Sequence, residues 1–255
     1  MTYKSTPNSL VSEILILDSG STDDSKNFAI SVGTVWFEQS FVGYGPQKKS
    51  ASLLASNNWI LNLDADEVPT PSFWSGLALF FKTHPHDRHA ATVTRDFVFL
   101  GKCLRFGGAS GQKKVRLFDK RSFEWDSALV HEDVRPLREQ LRVGNVSGRI
   151  EHYSWNSIHD WLNVTNDRAL VSAQEKLNAG KSLSVLSFNI FCRFFLEFMR
   201  SYILRFGFLD GVRGFIFCFF MAFSHELKFI KAFEILANQN VTPLHPQESN
   251  KSISY

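Results

Sequence analysis

The sequence predicts an α/β protein: a mainly parallel, Rossmann-like sheet with helices on both faces, followed by an aromatic-rich helical hairpin. Three observations carry this expectation. The runs Glu13-Ile-Leu-Ile-Leu17 and Trp59-Ile-Leu-Asn-Leu63 are short and continuously apolar, as buried strands are. Segments of helical character alternate with such strands, which favours parallel pairing. Finally, 14 of the 25 Phe residues fall between Phe188 and Phe233, so the composition changes near residue 185.

In chain order, the first strand ends in Asp18-Ser-Gly-Ser-Thr-Asp23-Asp24, a loop leading into a helix over about 24–33. Ser21, Thr22 and Asp23 are all suitable N-caps for it. A short strand is predicted at 34–37, then a helix at 47–56 after the Gly43–Pro46 loop. The strand at 59–63 leads into Asp64-Ala-Asp66-Glu67. Pro69 and Pro71 open the next helix, since proline is tolerated in a first turn. Residues 90–100 and 114–118 are rich in β-branched and aromatic side chains and read as strands, with Gly107, Gly108 and Gly111 in the loop between. Val130–Val134 is predicted as a short strand carrying polar groups, and 158–178 as a helix.

The domain expectation is an α/β domain over 1–185, an amphipathic Phe-rich segment over 186–236 and a polar tail over 237–255. A length of 255 residues suits one α/β domain with an appendage. With 44% hydrophobic and 21% charged residues the chain is globular rather than disordered. The net charge of +3 does not suggest a nucleic-acid partner. Cys103, Cys192 and Cys218 lack metal-ligand spacing and even pairing, which fits a reducing compartment. The first ten residues, MTYKSTPNSL, are polar and do not read as a signal peptide.

The chemistry is concentrated at two acidic strand ends. In open α/β sheets ligands bind at the carboxyl ends of strands. Asp64 and Asp66 lie two apart, so an extended chain would point both the same way. Like charges held together call for a cation or a proton. Hard oxygen ligands suit Mg²⁺ or Mn²⁺, usually shared with a phosphate. On its own an Asp-x-Asp can equally be a solvated turn. The Asp18 loop can accept from a base N–H or a ribose hydroxyl, while Ser19, Gly20 and Ser21 let the backbone approach a ligand. Lys48 or Arg116 could then offset phosphate charge.

These blocks, ILILDSGSTDD, WILNLDADE, RLFDK and VHED in that order, resemble family 2 glycosyltransferases of the GT-A fold. The likeness extends to lipopolysaccharide inner-core β-1,4-glucosyltransferases, over about residues 8–236. The resemblance implies a UDP-sugar donor, probed by Asp18 at the uracil or ribose and by Asp64 near the ribose. It implies a divalent metal on Asp66 and a catalytic base at Glu132. His131 is then a further metal or phosphate contact, and His152 a lesser metal candidate because its aromatic neighbours suggest packing. Trp125 and Trp155 could stack on sugar faces. The acceptor implied is a heptose of a lipid-linked oligosaccharide, reached from the cytoplasmic side of the inner membrane. The family's initial strand and Tyr-Asn-Glu-like loop have no apolar counterpart among the twelve residues before Glu13, so a first strand is expected to be missing.

Between 187 and 206, Asn189, Arg193, Glu197 and Arg200 recur at helical steps, leaving an apolar remainder. Phe206–Gly211 reads as a turn and 212–236 as a second helix, whose apolar core, Phe215–Phe223, is shorter than a bilayer span. Interspersed Arg and Lys predict a hairpin lying in an anionic membrane interface. The alternatives are a helical lid over the catalytic domain and an impaired homologue acting as a scaffold. A third is a haloacid-dehalogenase-type phosphatase, with Asp64 as nucleophile and Asp66 as general acid.

Overall fold

The structure, a computed structural model, describes residues 10–84, 88–128, 132–155, 157–178 and 193–239. It divides into two compact units, Met1–Trp161 with Arg200–Cys218, and Leu162–Met199 with Phe219–Tyr255.

In the first unit, β1 (Leu15–Asp18) and β2 (Val35–Glu38) pair in parallel, with α1 (Ser25–Ser31) as the crossover. Asp24, not the predicted Ser21, Thr22 or Asp23, is the N-cap of α1, and it makes no side-chain cap bond. Asp23 instead accepts from the Ser25 N–H at 3.1 Å. The helix α2 (Tyr44–Leu54) begins three residues before its predicted start. The main sheet contains β3 (Trp59–Leu61), β4 (Glu67–Pro69), β5 (Ala90–Phe99), β6 (Lys102–Cys103), β7 (Gln112–Asp119) and β10 (Val143–Trp155). Its order is β3-β7-β5-β10-β4, with β6 paired to β5. The strands β8 (Phe123–Trp125) and β9 (Val134–Pro136) form a separate antiparallel ribbon.

The sheet is mixed rather than mainly parallel. β10 runs parallel to β5, whereas the β3–β7, β5–β7, β5–β6 and β10–β4 pairs are antiparallel. Connection length explains this. The short link from β5 to β7 permits only an antiparallel return, and parallel neighbours need a long crossover.

Alternation along the central strands divides the core. Ala91, Val93, Leu117, Val146 and Ile150 face α3 (Pro71–Thr83), which buries Phe73, Trp74, Leu77 and Phe80 against them. Thr70 caps α3 by accepting from the Phe73 N–H at 3.3 Å. Burying each large apolar side chain contributes about 1.5–3 kcal/mol. On the opposite face Ala90 and Phe118 pack with Phe123, Trp125 and Val134, so that face is covered by the β8–β9 ribbon rather than by a helix. Gly76 is forced by this packing: a Cβ there would collide with the Ser147 backbone.

Of the strand predicted at 130–134, only Val134 is in a strand, as the first residue of β9, and 129–131 lie outside the described residues. The predicted turn is a 3₁₀ turn at Gly207–Asp210, where the Asp210 carboxylate accepts from the Arg105 and Phe106 N–H groups, each at 2.9 Å.

The helix α4 is Ile158–Asn178, residues 193–199 form α5, and α6 is Gly211–Gln239. The predicted hairpin positions 187–192 lie outside the described residues. In the second unit Ala173, Phe229 and Ala232 form a small core with Leu177, Ile235 and Leu236. Gly207–Asn238 is 32 residues long with a peak mean hydropathy of 1.4, enough by length and composition to cross a membrane. The nine-residue Phe215–Phe223 core understated this, because the flanks of the helix are also apolar.

Candidate active site

At the end of β1 the Asp18 carboxylate accepts from the Gly20 and Ser21 N–H groups, both at 2.8 Å, and from the Ser21 hydroxyl at 2.5 Å. These bonds, the Ser21 hydroxyl first, hold its pKa below the ordinary carboxylate value. Gly20 has φ +110°, a conformation L side chains rarely adopt. Residues Asp18–Ser21 line a cavity of about 380 Å³ with Glu38, Gln39 and Ser40 from the end of β2. Sequence reasoning found the first wall of this cavity and missed the second. The parallel pairing of Asp18 with Glu38 brings the two strand ends together.

The second acidic end lies after β3. Residues 64–67 form a turn closed by the Glu67 N–H on the Asp64 carbonyl at 3.0 Å. The chain is therefore not extended there, and Asp64 and Asp66 hold different partners instead of sharing one. Asp64 takes Arg116 Nη2 and Lys48 Nζ, each at 2.7 Å. Burial pushes the Asp64 carboxyl up, but Arg116 and then Lys48 outweigh it and hold its pKa at about 2.

Glu67, which the sequence reading left out of the site, anchors this turn. It is 1% exposed. It accepts from Arg116 at 2.8 Å, Arg95 at 2.9 Å and the Asp64 N–H at 3.2 Å. Its place at the start of β4 was the available signal: Glu67 and Pro69 are both buried by strand alternation. Arg116 is thus committed to two carboxylates. It positions the acidic turn.

Asp66 is 39% exposed on its side chain and lies 3.1 Å from His152 Nε2. Burial raises its pKa, but the His152 contact outweighs this and leaves it lowered. Its carboxylate has no Lys or Arg partner among the described residues. His152 sits on β10, opposite Glu67 in the β4–β10 pairing. Ser154 Oγ lies 2.6 Å from the same ring nitrogen. The lesser metal candidate of the sequence is therefore the side chain the fold brings to Asp66. An exposed carboxylate oxygen beside an imidazole suits a divalent cation of the Mn²⁺ type. Among the described residues there is no group of three or more such ligands, so further ligands would come from substrate or water.

Glu132 accepts from Lys48 Nζ at 2.6 Å, while His131 lies outside the described residues. The Lys48 ammonium also lies 5.0 Å from the Trp125 ring centroid, and the Arg116 guanidinium 5.9 Å. Trp125 is thereby buried under cations and is not a sugar platform. Trp155 stacks on Trp161 at 4.1 Å and on Phe97 at 5.5 Å, so its faces are also engaged.

One helix ties the two strand ends together. From α2, Gln47 Nε2 donates to the Ser19 hydroxyl at 3.0 Å and to the Gln39 carbonyl at 3.3 Å. The next residue, Lys48, holds Asp64 and Glu132. The start of α2 is fixed close by: the Gly45 N–H donates to the Ala128 carbonyl at 3.0 Å, and a Cβ on Gly45 would collide with the 126–128 backbone.

Residues 7–102 match the family model described as Glycosyl transferase family 2, a stretch that includes both acidic strand ends. Similar relatives are two uncharacterized glycosyltransferases. That of Rickettsia typhi is 27% identical over 247 residues, covering 91% of this chain and 82% of the relative. That of Rickettsia prowazekii is 28% identical with the same coverage. Among solved structures, S. aureus TarS 1-349 in complex with UDP-GlcNAc aligns with 93% of this chain and 86% of its own, at 13% identity and a TM-score of 0.41.

Proposed function

We propose that this chain is a metal-dependent, inverting hexosyltransferase that moves glucose from UDP-glucose to a heptose of a lipopolysaccharide inner core. The observation that carries the donor reading is the continuity of the two acidic strand ends through Gln47 and Lys48 of α2. The Asp18–Ser21 cavity, edged by Glu38 and Gln39, has the acceptors and donors a uridine needs. Asp66 and His152 would hold Mg²⁺ or Mn²⁺. When bound there, the cation supplies charge that stabilises the departing diphosphate.

Lys48 performs the exchange between resting and loaded states. Without donor its ammonium sits between the Asp64 and Glu132 carboxylates. A diphosphate oxygen competes for that ammonium, and as the contact with Glu132 loosens, a Glu132 carboxylate oxygen is released to accept a proton. Glu132 then takes the proton from the acceptor hydroxyl. The hydroxyl oxygen bonds to the anomeric carbon as the bond to the diphosphate breaks, in one in-line displacement. The Arg116–Glu67–Arg95 network holds the turn still meanwhile, so that little reorganisation is needed during the reaction.

Basic residues Arg193, Arg200, Arg205, Arg213, Lys228 and Lys231, set among exposed Phe and Leu, support peripheral attachment to an anionic membrane surface on the cytoplasmic side. The test is release of UDP from UDP-glucose with Mn²⁺, with and without a heptose-terminated core acceptor. Acceptor-dependent glucosyl product is expected. A chain that binds UDP-glucose and Mn²⁺ yet forms no product with any core acceptor would be a scaffold instead.

A further inference from the structure

The second unit carries a cavity that the glycosyl-transfer chemistry does not use. It measures about 240 Å³ and is lined by Arg193, Leu196, Glu197, His225 and Glu226. Glu226 is 1% exposed, and its Oε2 has no hydrogen-bond partner among the described residues. A buried carboxylate oxygen left unsatisfied is costly, by the full desolvation of a charged acceptor. Its other oxygen, Oε1, lies 3.6 Å from Arg193 Nε, too long for a strong bond. Arg193 itself is 56% exposed on its side chain and packs its guanidinium 5.5 Å from the Phe229 ring centroid. The cavity thus presents an orphan anionic acceptor inside and guanidinium donors at its mouth. Its apolar lining residue, Leu196, is largely exposed.

We propose that this cavity binds the phosphoethanolamine headgroup of a membrane lipid, its ammonium on Glu226 and its phosphate on Arg193. A primary ammonium supplies both the N–H and the charge that Glu226 lacks, and Glu197 adds a second carboxylate to the same wall. A hydroxyl would supply only the hydrogen bond. The phosphate meets the open donors of Arg193, whose planar fork suits phosphate oxygens. The exposed Leu196 of the lining favours a ligand with acyl chains over a free solute. The inference rests on the membrane-contacting reading of this segment and sharpens it from charge attraction to recognition of one headgroup.

The experiment uses the full chain and two soluble probes, glycerophosphoethanolamine and glycerophosphocholine, by titration calorimetry. They share the phosphate and the net charge, but the quaternary ammonium has no N–H to give. The ethanolamine probe is expected to bind at least about tenfold more tightly, the equivalent of one charge-assisted hydrogen bond. Glu226→Leu should remove that preference and Arg193→Ala should weaken both probes, each leaving UDP and Mn²⁺ binding intact, which also reports on folding. Vesicles of phosphatidylcholine doped with phosphatidylethanolamine should then retain the wild-type chain more than undoped vesicles do. Equal affinity for the two probes, or no binding of either, overturns the site. Binding of the soluble probe without any vesicle preference overturns the lipid as its source. Binding to anionic vesicles regardless of ethanolamine would leave the general membrane reading standing and sink this one.

Discussion

Replacing Arg116 with methionine tests the idea that the acidic turn is held by buried charge rather than by backbone alone. Arg116 is buried and bonds both Asp64 and Glu67. Opening a buried ion pair typically costs 3–5 kcal/mol. Here Glu67 keeps Arg95 and Asp64 keeps Lys48, so the lower end, about 3 kcal/mol, is the expected loss at pH 7. Part of this is visible in acid. Asp64 falls from an ordinary 3.8 to about 2 in the fold. At about 1.4 kcal/mol per unit that shift is worth roughly 2 kcal/mol. Because the folded value is depressed, this contribution is complete above the unfolded value and is lost as pH falls from about 4 to about 2. In Arg116→Met, burial is opposed by Lys48 alone, so the Asp64 pKa rises and the acid decline begins at higher pH. Thermal melts followed by tryptophan fluorescence should show a drop of about 6–12 °C at pH 7. The gap to the parent chain should narrow at pH 3. A drop under about 2 °C, with an unchanged acid limb, would mean that Arg116 contributes nothing as an anchor and is free to serve substrate.

The site supports further expectations. Asp66→Ala should abolish cation-dependent binding of UDP in calorimetry with Mn²⁺, and equal UDP affinity with Mn²⁺ and with chelator in the parent chain would remove the metal from the donor reading. Glu132→Gln should keep donor affinity but lose transfer by roughly 10²–10⁴-fold, since an amide takes no proton; near-normal turnover would move the base elsewhere, with Asp133 the next carboxylate. In co-sedimentation the full chain should follow anionic liposomes, with about 1 kcal/mol from each basic residue near the surface. Salt should weaken that binding only partly, because aromatic insertion is not screened; a chain that ignores liposomes at low salt refutes the attachment.

Continuous apolar runs made β1 and β3 legible as strands, although both are only half-buried. Pro71 made the start of α3 legible, whereas Pro69, expected to open the same helix, lies in β4. By contrast β10, the longest strand, was invisible in Val143-Gly-Asn-Val-Ser-Gly-Arg-Ile-Glu-His-Tyr-Ser-Trp155. Only Val146, Ile150 and His152 of that strand are fully buried, and its ladder with β5 breaks twice, between Asn145 and Arg149 and between His152 and Trp155. Burial still alternates along the strand, but its inward positions include Gly144, Gly148, His152 and Ser154, so no apolar period-2 pattern shows in the sequence.

The same limit governs the site. Asp18, Asp64, Asp66 and Lys48 were legible as residue types at strand ends and a helix start, where carboxylates need a reason to cluster. What the sequence could not reveal is which charge answers which. Arg116 was assigned to phosphate because it is cationic and near in type. The β3–β7 ladder instead sets it beside Asn62, Asp64 and Glu67, where Nη2 bonds both carboxylates. His152 was ranked low for sitting among aromatics, and it does pack on Phe97 at 4.8 Å. Yet the antiparallel β4–β10 pairing, with the Tyr153 N–H on the Asp66 carbonyl at 2.8 Å, turns the same ring toward Asp66. Packing and ligation are therefore not alternatives at this position. An imidazole wedged against Phe97 and bonded by Ser154 has its orientation fixed in advance, which is the condition for holding a cation jointly with one carboxylate.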